Sequence, residues 1–480
     1  MKLRVLAARE PEHELSAADF GDRRLTRRLK SIADALSVKP NVGFPMAFAS
    51  EAASEGFYRF LRNEKVTDEK ILQPHIDATI TRSAALDSVV VVHDTTEFQF
   101  GGRSKRDGLG TTGGRKKGFF GHVALAVAPA SHNRPLGVIG LKTYSRTTKK
   151  YSRATRLEYL RRLRRDPTKE SLRWGDLLES VEDSIRDRVR AIHVMDRESD
   201  SYALICRMLA AGAHFVIRAT ANRKLFPLGD AEPVAGMYED WDALPVALER
   251  EVPLSPRYPA LKGRPPKRYP IRKHRLATLQ FSAKSIRVKR ASNVSAKQCP
   301  AFVELNAVRV FEVDAPEGEA VEWLLLTTEP IATAADVARI VDAYRVRWTI
   351  EEFFKALKTG CAFETRQLES LRTLKNALAI LLPIACKILL LRSLERDADS
   401  VRVDDIATKQ QVEVLRVFSK RPLPQRPSPA ALLSSIAALG GHLTSNGAPG
   451  WHVLWRGYQE LLTLERAWAA AISRQRSDQS

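Results

Sequence analysis

The sequence has few of the groups that build thiolate or imidazole metal sites. There are four cysteines in 480 residues, Cys206, Cys299, Cys361 and Cys386. None lies in a C-x-x-C pair, so neither a zinc site nor a disulfide framework is indicated, and free thiols in a reducing compartment are expected. The ten histidines show no H-x-x-x-H spacing. Any metal would have to be held by carboxylates. Long apolar runs are also missing. The longest, Ala377 to Leu391, is short of a membrane span and contains Pro383 and Lys387, so it reads as a buried helix. Glu10 and Glu12 come too soon for a signal peptide. The expectation is a cytoplasmic protein with no membrane partner. No internal repeat is evident.

What the chain has in excess is positive charge. Lysine and arginine number 77 against 56 acids, a formal net charge of +21, which calls for an acidic polymer as partner. Hydrophobic residues at 44% and charged residues at 28% fit a soluble globular protein, and the length fits two or three domains. Near the N-terminus Leu25, Leu29, Ile32 and Leu36 recur at helical spacing. The same segment carries Arg23, Arg24, Arg27, Arg28 and Lys30. Like charges four apart repel on an isolated helix. A bound phosphate backbone relieves that repulsion, and a solvated charged face is the alternative.

Val89 to Val92 is a β-branched run ending at His93-Asp94. It predicts a buried strand with a carboxylate at its C-terminal edge. Strand-like runs at His122 to Ala128 and Leu136 to Tyr144 then predict an antiparallel meander. The Gly101 to Gly118 segment between, rich in glycine, lysine and arginine, reads as a mobile positive loop able to close on phosphate. After a basic, helix-like stretch from Arg153 to Arg165 comes the strand Ala191 to Met195, with Asp196 at its end. A helix from about Ser199 to Ala211, closed by Gly212, leads to a strand from His214 to Ala219. Strand–helix–strand order implies a parallel pair, and hence a mixed sheet with helices on its faces. From about Asn222 to Pro330 short alternating runs read as a β-rich insertion. Ala334 to Thr359 predicts one long helix ended by Gly360, with Thr333 and Asp336 in capping-box register. Beyond about residue 395, Pro422, Pro424, Pro427 and Pro429 mark a linker before amphipathic helices around Trp451 to Ile472.

The long helix is the most informative element. At ~100° per residue, Tyr344, Arg347, Glu351 and Lys358 share an arc of ~60°. A carboxylate on that face suits a divalent ion, and the cations and phenol suit flanking phosphates. Arg347 and Glu351 also fit an ordinary surface ion pair at i,i+4. Asp94 and Asp196 each follow a buried strand, where carboxylates would converge at one sheet edge. Either alone could be a turn or helix cap. Two aspartates and a glutamate are what a pair of Mg²⁺ ions needs, and such a pair activates a hydroxyl and stabilises a leaving oxygen. His93 and His193, each near an aspartate, are expected to pack.

These residues stand in recognisable strings: Asp94-Thr95-Thr96, Asp196-Arg197-Glu198-Ser199-Asp200, and Tyr344-x-x-Arg347-x-x-x-Glu351-x-x-x-x-x-x-Lys358. They resemble the signatures of bacterial cut-and-paste DDE transposases, the last being that of the Tyr-Arg-Glu-Lys insertion-sequence family, which includes the Tn-five transposase. Trp323-Leu324-Leu325-Leu326-Thr327, Arg347 to Phe353, Lys358-Thr359-Gly360, Gly56 to Phe60 and Trp451 to Gly457 are similar as running text. The resemblance covers essentially the whole chain.

The resemblance implies an α/β fold: a ribonuclease-H-like mixed-sheet catalytic core over 76–395, with the β-rich insertion at about 222–330. An N-terminal helical domain over 1–75 would bind transposon ends, and a C-terminal helical domain over 396–480 would dimerise. Asp94, Asp196 and Glu351 would be the catalytic metal ligands for two Mg²⁺ ions, with Mn²⁺ as a substitute. Tyr344, Arg347 and Lys358 would hold phosphates, Trp323 would stack a flipped base, and Arg218 would support the distorted strand. Arg24, Arg27 and Arg28 would contact duplex DNA. The implied partners are double-stranded DNA, as inverted-repeat ends and as target, and a second copy in a paired-end complex at the bacterial nucleoid. The implied reaction runs through nicking, hairpin formation, hairpin opening and strand transfer. Leu25 stands where the family often has another arginine, which bears on end-sequence preference. The loop around Arg115 to Lys117 is only loosely similar, so no contacts are assigned to it. Two rivals remain, a nuclease of the same fold that never joins DNA and a DNA-binding protein whose catalysis is lost.

Overall fold

Buried β-branched runs and capped amphipathic helices account for most of the architecture. The computed structural model describes residues 11–102, 106–113, 116–129, 133–146, 170–226, 236–254, 273–292, 294–317, 319–396, 398, 401–443, 445, 447 and 449–477. The basic stretch from Arg153 to Arg165 lies outside the described residues. The chain forms two units. One comprises Met1–Arg164, Asp183–Arg190 and Trp348–Ser480, the other Arg165–Glu182 and Ala191–Arg347.

In the first unit the strands are β1 (Ser88–Gln99), β2 (Gly110–Thr111), β3 (Lys117–Ala128) and β4 (Arg134–Tyr144). β3 pairs antiparallel with β1, β2 and β4, which is the expected meander. Helices Asp68–Ser83 and Leu371–Arg396 pack on β4. The second of these is long and apolar enough to cross a membrane, yet 89% of its most apolar window is buried inside the protein. Its apolar run therefore serves the core.

One expectation needs correcting here. Asp94 does not follow a strand but lies inside β1, opposite Val123 of β3. The ladder runs on to the Gln99–Gly118 pair. What ends at His93 is continuous burial, which gives way to alternation from Asp94 to Gln99. The sequence marks the change in burial, whereas the hydrogen bonds set the length of the strand.

In the second unit, β5 (Arg190–Met195) and β6 (His214–Arg218) are the expected parallel pair. Helix Tyr202–Ala210 connects them. Gly212, at φ +66°, ends that helix with its N–H on Leu209 O and the Ala213 N–H on Met208 O. The sheet continues antiparallel through β11 (Glu322–Thr327), β10 (Phe302–Val313) and β9 (Arg275–Lys289). β7 (Leu225–Phe226) and β8 (Leu248–Leu254) both pair with β9. Among the described residues between 222 and 330, the regular elements are the strands β7 to β11. Thr333 and Asp336 form the predicted capping box at the start of helix Ala334–Arg345.

That helix is not continuous to Thr359. It stops at Arg345, turns through Val346 and Arg347, and restarts as Trp348–Lys355. A π turn, Ala356–Gly360, follows. The Arg347 amide bonds back only three residues, to Tyr344 O, and the Cys361 amide reaches five, to Ala356 O. A 3.6-residue period therefore cannot be carried from Tyr344 to Lys358, and the single-face arithmetic fails across the break. Neither glycine nor proline signals that break.

A buried charge cluster ties the N-terminal helices to the sheet of the first unit. Glu14 accepts from Arg82 and lies 2.5 Å from His75 Nδ1. The Val138 amide donates to His75 Nε2 at 3.0 Å, so the ring proton sits on Nδ1 and points at Glu14. Arg82 also donates to Leu136 O at 2.7 Å. Gly137 has φ +147°, and a Cβ there would fall 2.1 Å from Thr79 Oγ1, so only glycine lets the helix approach this closely. Burial alone would raise the Glu14 pKa, but His75 and Arg82 outweigh it and hold the carboxyl below its ordinary value. Such a group contributes stability above the ordinary carboxylate range, which is lost as pH falls through the folded-state value. Glu14→Gln should cost about 3 kcal/mol at neutral pH by leaving Arg82 without its counter-charge. It should also make stability fall less steeply below about pH 4. Urea titrations at several pH values check both, and an unchanged acid slope would remove Glu14 as its source.

Candidate active site

The first unit holds Asp94, Glu351 and Lys358. Asp94 Oδ1 accepts the Thr95 amide at 2.7 Å. Thr95 Oγ1 lies 2.8 Å from Nδ1 of His122 on β3. Burial pushes the His122 pKa down to about 3, against the pull of the Asp94 backbone carbonyl as an acceptor, so the ring is neutral at neutral pH. His93 is buried against it, with ring centroids 5.9 Å apart.

Glu351 lies in the first turn of helix Trp348–Lys355, which packs on β1 and on helix Leu371–Arg396. It lines a cavity of about 350 Å³ with Trp348, Glu352, Lys355 and Arg392. Glu352 bridges to Arg392 at 3.2 Å and to Arg396 at 3.0 Å, which anchors the helix. Trp348, 60% exposed on the cavity wall, was part of the matching text but carried no role in the sequence.

Lys358 is held in place by the protein itself. Its Nζ donates to Glu97 O of β1 at 2.6 Å and lies 5.6 Å from the Phe98 ring centroid. Glu364 stands 4.0 Å away and accepts the Gln99 amide at 2.7 Å. Burial lowers the Lys358 pKa, and Glu364 and Glu97 oppose that shift. Neither glutamate was singled out in the sequence, because nothing in their spacing connects them to Lys358.

The second unit holds Asp196, Arg218, Trp323, Tyr344 and Arg347. Asp196 directly follows β5, as expected, and Oδ1 caps the short turn Arg197–Ser199 through the Glu198 amide at 2.8 Å. Tyr344 is 6% exposed. Burial raises its pKa, while the nearby guanidinium groups of Arg218 and Arg347 lower it and Asp196 raises it. Arg218 also donates to Glu322 O at 3.2 Å. The half-exposed Trp323 ring meets Tyr344 edge-on at 5.6 Å. Four residues far apart in the chain, Asp196, Arg218, Trp323 and Tyr344, are thus neighbours. His193 is buried with Nε2 2.7 Å from Glu182 Oε1.

Within each unit, among the described residues, no three His, Cys, Asp or Glu side chains gather as a metal cluster. Asp94 and Glu351 belong to one unit and Asp196 to the other. As a donor set, three carboxylates fit a hard divalent cation such as Mg²⁺. The Asp196 arrangement agrees, since a single oxygen serves the cap.

On helix Arg23–Val38, Arg24, Arg27 and Arg28 are exposed and Leu29, Ile32 and Leu36 are buried, which is the expected two-faced helix. Asp22 caps it through the Arg24 amide and pairs with the Arg24 side chain at 3.0 Å. Arg28 lies over Gly56, where a Cβ would fall 2.8 Å from Nη1. A cleft of about 340 Å³ there is lined by Arg24, Leu25, Arg28, Arg59 and Phe60. Arg59 adds a cation that the spacing of the first helix could not reveal.

The family model described as "Transposase DNA-binding" matches residues 11–66, and that described as "Transposase DDE domain" matches residues 86–386. A cryo-EM structure of a piggyBac transposase synaptic complex with hairpin DNA is similar over 84% of this chain and 77% of that one. The TM-score is 0.33 at 11% identity, a weak likeness.

The exposed arginine face gives a direct test. Each phosphate contact adds about 0.9 to the slope of log affinity against log salt on duplex DNA. Replacing Arg24, Arg27 and Arg28 by alanine should therefore lower that slope by about 2.7. A slope equal to that of the parent protein would remove this face from the DNA contact.

Proposed function

The chain belongs to the family of transposases with a DDE domain, and from that membership we propose a cut-and-paste enzyme of the bacterial Tyr-Arg-Glu-Lys insertion-sequence type. It is a DNA-acting polynucleotidyl transferase and endonuclease. The observation that best supports the finer reading is the cluster of Arg218, Trp323 and Tyr344 beside Asp196. Strand-distorting chemistry needs an aromatic face and phosphate-holding groups next to a carboxylate.

Asp94, Asp196 and Glu351 would hold two divalent ions, Mg²⁺ or Mn²⁺. Those ions, when bound, supply activation of the attacking hydroxyl and stabilisation of the leaving oxygen. The chain's own residues do the positioning. Tyr344 and Arg218, close enough for the guanidinium to act on the phenol, present a phenol and a guanidinium to the backbone of the strand being cut. Arg347 adds a cation at the turn before the Glu351 helix. Lys358 presents an ammonium close to β1, and the Glu97 carbonyl that holds it keeps it oriented. Trp323 offers its face to an unstacked base, which lets the strand bend back on its partner. With these groups the enzyme nicks one strand, joins the freed 3′-hydroxyl to the opposite strand as a hairpin, opens the hairpin and inserts the end into target DNA.

In this scheme 1–75 reads the transposon end, 76–395 carries the chemistry and 396–480 dimerises two copies in a paired-end complex. A cytoplasmic setting at the bacterial nucleoid belongs to the same proposal.

The carboxylates and the aromatic should fail differently. Asp94→Asn, Asp196→Asn and Glu351→Gln should each lower nicking of a labelled transposon end by a thousandfold or more, on the order of 4 kcal/mol of barrier. DNA binding should be kept. A variant that cleaves in Mg²⁺ at the parent rate would take its residue out of the site. Trp323→Ala should nick at close to the parent rate and form hairpins slowly, because only the second step needs the flipped base. Stacking contributes about 1–3 kcal/mol per base, so hairpin formation should slow roughly tenfold to a hundredfold. Equal loss of both steps in a folded Trp323→Ala protein, on denaturing gels, would reject the stacking role.

A further inference from the structure

Asp200 closes the Asp196–Asp200 string, and it is a buried anchor. Its side chain is 0% exposed. Oδ2 accepts the Thr220 amide at 2.7 Å, the Thr220 hydroxyl at 3.1 Å and the Ala221 amide at 3.0 Å. Oδ1 pairs with Arg223, whose guanidinium also donates to Asp200 O at 2.8 Å. Charge-assisted bonds in that number fix the backbone of 219–223. That segment directly follows β6, whose last residue is Arg218.

A second turn clamps onto the first. The Met237 amide donates to Arg223 O at 2.9 Å, and the Tyr238 amide to Asn222 Oδ1 at 3.3 Å. Gly236 sits so close that a Cβ would fall 2.5 Å from Asn222 Oδ1. Met237 and Trp241 go into the core. Tyr238 points outward instead and is 40% exposed. Its hydroxyl donates to Ala219 O at 3.2 Å. The Ala219 amide in turn bonds Leu324 O at 2.8 Å, one residue past Trp323. The charged groups around the phenol are Asp200, Arg218, Glu322 and Arg223. Among them is Arg218, which also acts on the Tyr344 phenol.

An exposed tyrosine usually keeps its side-chain freedom. Here the backbone is clamped on one side and the hydroxyl is tied on the other, so the ring is held in one pose. Core filling is done by its neighbours. A rigid aromatic face beside a guanidinium is what an unpaired nucleotide recognises: the base stacks on the ring and the cation takes the adjoining phosphate. Little ordering remains to be done on binding.

We propose that Tyr238 is a second base-stacking platform for the unpaired strand, on the same sheet edge as Trp323 and next to Arg218. The inference rests on the reading given above for Trp323 and Arg218. It adds a contact for a neighbouring nucleotide rather than a second hold on the same base.

The test uses the full chain and two probes. One is a twelve-nucleotide oligothymidylate carrying a single central 2-aminopurine, and the other is a duplex of the same length. Tyr238→Ala should bind the single strand roughly tenfold more weakly, with a smaller change in 2-aminopurine emission, and should keep its duplex affinity. Tyr238→Phe keeps the ring and should bind like the parent. If Tyr238→Ala is folded by circular dichroism and binds the single strand as the parent does, while Trp323→Ala does not, Tyr238 is no platform and the Trp323 reading stands. If both variants bind as the parent does, both assignments fall. If Tyr238→Ala loses single-strand and duplex binding equally, or if Tyr238→Phe is as weak as Tyr238→Ala, the hydroxyl is a structural clip and the stacking role is rejected.

Discussion

The hydrogen-bond ladder between β1 and β3 is the constraint on which the first unit's candidate site depends. It runs without interruption from the Val90–Val127 pair to the Gln99–Gly118 pair. The first half of β1, Val89 to His93, is buried on both faces. Its second half carries the chemistry. Asp94 stands where continuous burial stops. Three residues on, Glu97 offers its carbonyl to Lys358, and five residues on, Gln99 offers its amide to Glu364. Phe98 packs with Phe119 on β3 and edge-on with Phe363, so the segment after the π turn is seated on the same two strands. Carboxylate and ammonium thus owe their places to one stretch of backbone pairing.

Charge is handled in two ways. Buried charges are satisfied by groups close at hand: Glu14 by Arg82 and His75, Asp200 by Arg223 and three N–H or O–H donors. Breaking such a set leaves an uncompensated charge inside, which costs several kcal/mol. The cations expected to meet DNA are treated differently. Arg24, Arg27 and Arg28 are exposed on one helix end, where repulsion among them is weak in water and a polyanion can displace counterions. Lys358 falls between these cases. It is half-buried on a carbonyl and an aromatic ring with a carboxylate nearby, so it is oriented without being fully neutralised.

The sequence made the local features legible. The β-branched run at Val89, the parallel pair around Asp196, the Thr333–Asp336 capping box and the glycine stop at Gly212 all follow from side-chain chemistry within a few residues. The signature strings led to the DDE family for the same reason. What it hid was long-range or geometric. The extension of β1 past Asp94 depends on a partner strand almost thirty residues away. The break at Val346–Arg347 has no glycine or proline to announce it, because a switch from i−4 to i−3 bonding needs neither. Tyr238 lies in a region of mixed composition, and its fixed pose comes from Asn222 and Ala219, sixteen and nineteen residues earlier in the chain.

The break in the Tyr344–Lys358 segment changes what a fixed-spacing signature means. On an unbroken helix, the intervals of three, four and seven residues would place one face against the DNA. Here Tyr344 and Arg347 close one helix and its turn, Glu351 opens the next, and Lys358 rides on a π turn. The spacing is therefore better understood as three separately anchored pieces. Tyr344 is buried against the Trp323 ring. The Glu351 helix is fixed by Glu352 gripping Arg392 and Arg396. Lys358 is fixed by the β1 carbonyl. Each anchor lies outside the signature itself. An insertion or deletion between the pieces would shift them by a residue, rotating a helical side chain by about 100° and pulling it off its anchor. Conserving the interval is then a matter of keeping three contacts in register, which a single periodic face does not require.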